Sequence, residues 1–139
     1  MVATIEEMNI GDSASFSKTV TEYDIYSMAG ITGDFNPAHI NTIYASGTPF
    51  AKRIAHGVLA VSLISGVLST KLPGAGMIII SQVCDFKRPV FVGDTITATV
   101  EVVKKDEEQN RVWLNTCCTN QNGELVLDGK VVMADHKET

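Results

Sequence analysis

Two side chains able to handle a proton near neutral pH, Asp34 and His39, stand in the stretch Thr32-Gly33-Asp34-Phe35-Asn36-Pro37-Ala38-His39. Gly, Asn and Pro punctuate it and propagate neither helix nor strand, so its side chains are free to converge on one point. A carboxylate and an imidazole at one point grip a water molecule and move its protons, the equipment of acid–base chemistry. Singly, each has a plainer reading: an Asp after a helix-ending glycine is a turn residue, and a lone His is structural. Asn36 either holds the loop or touches a substrate, and Pro37 fixes the loop backbone.

A second stretch, Ile54-Ala55-His56-Gly57, runs into the apolar segment 58–68 and reads as the start of a buried helix. In the first turn of such a helix the Gly57 N–H has no intrahelical partner, and the helix dipole adds partial positive charge there. Lacking a side chain, Gly57 lets an oxygen approach that N–H closely; the plainer alternative is a glycine needed for tight helix entry. His56 reads as ordering the loop or the helix start rather than moving a proton. Ser62 and Ser65 lie on the same helix and require partners, by default the carbonyls three or four residues back. Lys52-Arg53 and Lys87-Arg88 suit phosphate groups, and equally a solvated surface.

Other chemistries lack support in the residue pattern. His39, His56 and His136 do not have metal-ligand spacing, and no cysteine pair helps them, so no metal is expected. There is no nucleophile elbow, dinucleotide-binding glycine loop or P-loop, which speaks against an acyl-enzyme route and a nucleotide cofactor.

The elements that must position these groups follow from periodicity. Residues 14–20 alternate as a half-buried strand, with Ala14, Phe16 and Val20 on one side and Lys18 the misfit among them. Thr21-Glu22-Tyr23-Asp24 has capping-box form, with Asp in place of Glu, and opens a helix to about Ile31 that Gly33 ends. Asn41 caps a short helix over 42–45. The stretch 57–70 is apolar nearly all round, predicting a helix enclosed by protein on most sides. Beyond the breaker Leu72–Gly76, four strands are expected at Met77–Lys87, Asp94–Lys105, Arg111–Asn120 and Glu124–Ala134, followed by a frayed polar tail from Asp135. One strand, helices, then four successive strands describe an α+β domain whose meandering antiparallel sheet curls round the 57–70 helix.

With 139 residues the chain fits one domain. Its net charge of −5 argues against nucleic acid or an anionic membrane as partner. A charged fraction of only 19% suggests surface buried against another copy of the chain. The run around 55–68 is too short and interrupted to span a bilayer, and residues 1–7 lack signal-peptide form. Three cysteines, two of them adjacent, form no disulfide pattern, so a cytoplasmic setting is expected.

Three separated motifs, Gly33–His39, Ile54–Gly57 and Phe86-Lys87-Arg88-Pro89-Val90-Phe91-Val92-Gly93-Asp94, resemble those of the MaoC-like dehydratases, and among these the short, single-domain (R)-specific enoyl-CoA hydratases. The likeness runs from about Ile10 to Met133 in matching order and spacing; Ala38 replaces the family's usual Leu, and Val58 its usual Met. The resemblance implies the hot-dog fold, a long helix wrapped by an antiparallel sheet, in a homodimer with sites near the interface; further assembly is left open. It implies reversible syn hydration of a trans-2-enoyl-CoA to the (R)-3-hydroxyacyl-CoA, the coenzyme A thioester being substrate and no cofactor taking part. Asp34 and His39 become the dyad holding the water, and the Gly57 N–H the donor to the thioester oxygen. Asn36 comes near the site, and Ser65 matches a position that faces it and braces Asp34. Leu68 and Val132 are expected to line the acyl pocket and favour short chains, while Arg53, Lys87 and Arg88 are candidates for the coenzyme A phosphates. The nearest alternative is the same reaction on an acyl carrier protein, although an acidic carrier would need a local basic patch to dock. A hot-dog thioesterase or a non-catalytic acyl-binding subunit shares the fold, but the Asp-x-Asn-Pro-x-His loop followed by His-Gly is the hydratase arrangement.

Overall fold

A computed structural model describes residues 4–135; residues 1–3 and the tail 136–139, with His136, lie outside the described residues. The element order is β1 (Ser13–Thr19), α1 (Glu22–Thr32), α2 (Pro37–Ile40), α3 (Thr42–Ser46), α4 (Gly57–Thr70), β2 (Met77–Phe86), β3 (Thr95–Asp106), β4 (Arg111–Thr119) and β5 (Leu125–Asp135). The strands form one sheet in the order β1-β3-β4-β5-β2, every neighbouring pair antiparallel.

Period-two patterning puts one face of this sheet in the core. On β3, Ile96, Ala98, Val100 and Val102 are fully buried, while the threonines and Glu101 between them turn to the other face. α4 lies on β3 and also touches β1, β2 and β4. Its buried residues Leu59, Ala60, Ile64, Val67 and Leu68 recur at helical spacing, so a single stripe faces the sheet. Each large apolar side chain so buried contributes about 1.5–3 kcal/mol.

Two expectations are corrected. The helix is not enclosed on most sides: Val58, Ser62 and Gly66, four residues apart, form an open stripe opposite the sheet. The sheet is also not a simple meander, since β2 pairs with β5 at the far edge rather than with its sequence neighbour β3. Residues 87–94 cause this. The Lys87 N–H donates to the Val126 carbonyl, Ala55 N–H to the Val90 carbonyl, and Ile54 bridges to Phe91, so the segment crosses the fold as a strap instead of turning back as a hairpin. Gly129 of β5 permits the β2 pairing, because a Cβ there would collide with the Val83 carbonyl oxygen.

Lys18, out of place in the strand pattern, is explained by the helix that follows. Its Nζ lies 3.2 Å from Asp24 Oδ2, and Asp24 completes the capping box of α1: the Thr21 N–H donates to Asp24 Oδ2 at 2.9 Å, and the Asp24 N–H to Thr21 Oγ1 at 3.2 Å. Burial pushes the Asp24 carboxyl up, but the bonds from Thr21 and Lys18 outweigh it and leave the group below its ordinary value.

Candidate active site

Helix α1 ends where the sequence predicts, with Gly33 at φ 76° and its N–H on the Ala29 carbonyl. Thr32 then holds the exit: its hydroxyl donates to the Met28 carbonyl at 2.8 Å and accepts from the Asp34 N–H at 3.1 Å. Asn36 does two things in the next turn. Its N–H donates to Asp34 Oδ1 at 3.1 Å, and its side-chain oxygen accepts from the Ala38 N–H at 2.9 Å, capping α2. Pro37 opens α2 at the position where its missing N–H costs nothing, and His39 sits in that helix's last turn. The loop therefore ties down one carboxylate oxygen of Asp34 and leaves Oδ2 facing His39.

The facing atoms are Asp34 Oδ2 and His39 Nε2, 3.5 Å apart, with the imidazole largely buried and the carboxylate about half exposed. The other ring nitrogen, Nδ1, lies 2.8 Å from the Ile54 carbonyl oxygen. A carbonyl only accepts, so Nδ1 carries a hydrogen, and when the ring is neutral its Nε2 is the acceptor that faces Asp34. Two acceptors at this separation are suited to one water donating a hydrogen to each. Ile54 is held in turn by its N–H on the Ala38 carbonyl.

His56, only 2% exposed, stacks on His39 with ring centroids 3.9 Å apart, and its Nε2 donates to the main-chain carbonyl of Asp34 at 2.8 Å. Gly57 follows as the first residue of α4; its N–H makes no hydrogen bond among the described residues, leaving a donor at the positive end of the helix. His39, His56 and Gly57 open onto one cavity of about 390 Å³ walled by Phe50, Ala60, Phe86, Val90 and Val126, with Lys87 and Arg88 also at its lining. That volume falls in the range of small-molecule sites. Phe86 closes over Gly57: a Cβ on the glycine would stand 3.0 Å from the ring.

The remaining sequence candidates sit elsewhere. Arg53 is ion-paired with Glu22 and also donates to the Tyr26 hydroxyl at 3.3 Å, so its charge is engaged on α1. The Glu22 carboxylate raises the guanidinium's pKa further, burial opposing it. Lys52 lies over the Phe91 ring, and Arg88 is 3.5 Å from Glu124. Ser62 bonds back to the Val58 carbonyl at 2.7 Å, while Ser65 is half-buried, and no hydrogen bond joins it to Asp34 among the described residues. Leu68 is fully buried in the core, two helical steps along the stripe that begins at Ala60. Val132 alternates with the core residues Val131 and Met133 and so lies on the other face of β5. None of these last three lines the cavity of the single chain.

Sequence spacing misjudged the histidines, since folding brings donor atoms of Asp34, His39 and His56 within 4.8 Å of one another. Even so, one nitrogen of each ring is spent on a carbonyl, and stacked rings direct their lone pairs along nearly parallel planes, a poor grip for one ion. Sequence reasoning also missed the Ile54 carbonyl and the Phe50 and Phe86 walls. A main-chain acceptor leaves no side-chain signature, and an aromatic wall is indistinguishable from core until the fold is known.

The MaoC like domain model matches residues 7–119. The chain is 47% identical over 128 residues to an (R)-specific enoyl-CoA hydratase of Rhodospirillum rubrum, covering 92% of this chain and 88% of that protein. It is 39% identical over 132 residues to a 3-hydroxybutyryl-CoA dehydratase of Methylorubrum extorquens, covering 95% and 83%. Among solved structures, an unliganded R-hydratase from Pseudomonas aeruginosa superposes with a TM-score of 0.91 at 37% identity, covering 96% of this chain and 86% of that one. With its α+β hot-dog architecture, the chain belongs to the MaoC-like (R)-hydratase family and is an enzyme of the hydro-lyase type.

Proposed function

We propose that the chain is an (R)-specific enoyl-CoA hydratase that adds water reversibly to a short trans-2-enoyl-CoA. The observation that carries this reading is the facing pair Asp34 Oδ2 and His39 Nε2, 3.5 Å apart beside a largely apolar cavity. A water seated between them attacks C3 of the enoyl thioester. His39 Nε2 takes one of its protons, the Asp34 carboxylate stabilises the transient imidazolium, and the second hydrogen stays on the new hydroxyl. The proton held by the pair then goes to C2 on the face from which the water came, giving syn addition, with no atom left over. Negative charge building on the thioester oxygen meets the free Gly57 N–H at the start of α4. No metal or cofactor is required by these steps.

Coenzyme A is preferred to an acyl carrier protein because the chain, at −5, lacks the net positive charge that would draw an acidic carrier. Lys87 and Arg88, which lie at the cavity lining, are the basic groups we assign to its phosphates, Arg88 exchanging its exposed pairing with Glu124 for them; Arg53, paired with Glu22, lies outside that lining. Short acyl chains are the reading because the cavity reaches Ala60 on α4, and the next residues of that buried stripe, Ile64 and Leu68, belong to the core rather than to its lining.

The working unit is a homodimer in the cytoplasm. β2 is an edge strand carrying exposed Ile78, Ile79, Ile80 and Val83, and a long apolar edge is stable in water only when another chain covers it. Light scattering giving a monomer would contradict this. The activity is tested with crotonyl-CoA coupled separately to (R)- and (S)-specific 3-hydroxyacyl-CoA dehydrogenases. Turnover through the (R) enzyme alone is expected; release of free coenzyme A would indicate a thioesterase, and activity only on carrier-bound substrate the dehydratase alternative.

A further inference from the structure

We propose that His56 is a positioning residue for the dyad, a reading that rests on the hydratase reaction above. Its surroundings show what it is not. It occupies the N-cap of α4, yet its side chain makes no capping bond, and Ser, Thr, Asp or Asn would serve that position better. It is not simple core filling either. The residue is 2% exposed and its Nδ1 is buried without a hydrogen-bond partner among the described residues, a cost that an apolar side chain of similar size would avoid.

What His56 supplies is a donor and a flat face at once. The Nε2–H bond of 2.8 Å to the Asp34 carbonyl fixes the main chain from which the carboxylate projects. The ring face, 3.9 Å from that of His39 and tilted by 28°, limits rotation of the His39 imidazole about its bond to the Ile54 carbonyl. Its own peptide group leads directly into Gly57. One buried residue thus touches both members of the dyad and adjoins the oxyanion donor, across 22 positions of sequence from Asp34. Asp34, with its side chain about half exposed, gains little packing to hold it, so this anchor limits where Oδ2 can be. Geometry held this way acts on the chemical step more than on substrate affinity.

The test compares His56→Gln, His56→Asn and His56→Phe in crotonyl-CoA hydration, with kcat, KM and thermal midpoint measured for each. The Gln amide reaches about as far as Nε2 and can still donate to the Asp34 carbonyl, whereas the shorter Asn amide falls near Nδ1 and cannot. Phe keeps the stacked face and loses the donor. Asn and Phe are expected to lower kcat roughly tenfold or more relative to Gln, with KM within about twofold and no matching difference in thermal midpoint. Two donor-lacking variants are included so that one that fails to fold leaves the other for comparison with Gln. Equal kcat values for Gln and the donor-lacking variants, or a kcat loss that merely follows the thermal midpoint, overturn the proposal. No turnover by the unsubstituted protein overturns the hydratase reading itself.

Discussion

Gly57→Ala separates the two roles this glycine can have. The added Cβ would lie 3.0 Å from Phe86 Cε1 and 3.4 Å from Cδ1, with no backbone atom among its near neighbours. Phe86 is 58% exposed, so its ring can yield by the few tenths of an ångström needed. Against that small strain, Ala is a better helix former than Gly by up to about 1 kcal/mol in a helix interior, and by less at the first turn. The two effects nearly cancel, and Tm is expected to move by no more than a few degrees. Activity responds differently. A Cβ leans toward the helix N-terminus, the side on which the free N–H points, and so fills the approach of the thioester oxygen. Loss of one oxyanion donor costs about 2.7–4 kcal/mol, or 10²–10³ in kcat. The assay is the fall of enoyl absorbance as crotonyl-CoA is hydrated, run beside thermal melts. Activity within about threefold of the parent at unchanged Tm would refute the oxyanion assignment. A large fall in Tm would instead make helix entry the reason for the glycine.

Leu68→Ala should lower stability by about 2–5 kcal/mol and, by opening the end of the Ala60–Ile64–Leu68 stripe, raise relative activity on longer enoyl chains; unchanged chain-length preference in a folded variant would count against the stripe as the limit. Asp24 has a lowered folded pKa, so its contribution is present above its ordinary value of 3.8 and lost as pH falls through the folded one. Asp24→Asn should therefore be less stable than the parent at pH 7 by urea denaturation, with the gap closing below about pH 4. Burial pushes the Cys118 thiol up to about 12, and its Sγ donates to the Ala60 carbonyl. A raised folded pKa contributes stability that is complete below the ordinary value of 9.0 and lost as pH rises toward 12. Native protein at pH 8 should accordingly leave Cys118 unlabelled by a thiol reagent, prompt labelling being the contrary result.

Much of this architecture is legible in the sequence because its signals are local. Thr21 with Asp24, Gly33, Asn36 with Pro37, and Asn41 each declare a helix end, and the alternation of Ile96, Ala98, Val100 and Val102 declares a buried face. The convergence of Asp34 and His39 was visible for the same reason, as turn residues fix the short loop between them. What depends on distant partners was not visible. Strand order turned on the strap 87–94 engaging Val126 and Ala55 rather than on any pattern within β2. The fate of Arg53 was decided by Glu22, 31 residues away, and the proton on His39 by a main-chain oxygen of Ile54. The open stripe on α4 was hidden too, because Val58, Ser62 and Gly66 read as core when hydrophobicity is averaged around the helix.

The central claim is that a water held between Asp34 Oδ2 and His39 Nε2 is the reactant, and Asp34→Asn and His39→Gln test it most directly. Each substitution keeps the size of its site while removing one acceptor of a water hydrogen or weakening it as a base. Rates of crotonyl-CoA hydration should fall at least about 10²-fold in either variant, with no further loss of comparable size when the two are combined, because the residues act as one unit. Retention of substantial (R)-specific hydration by either folded variant would contradict the account.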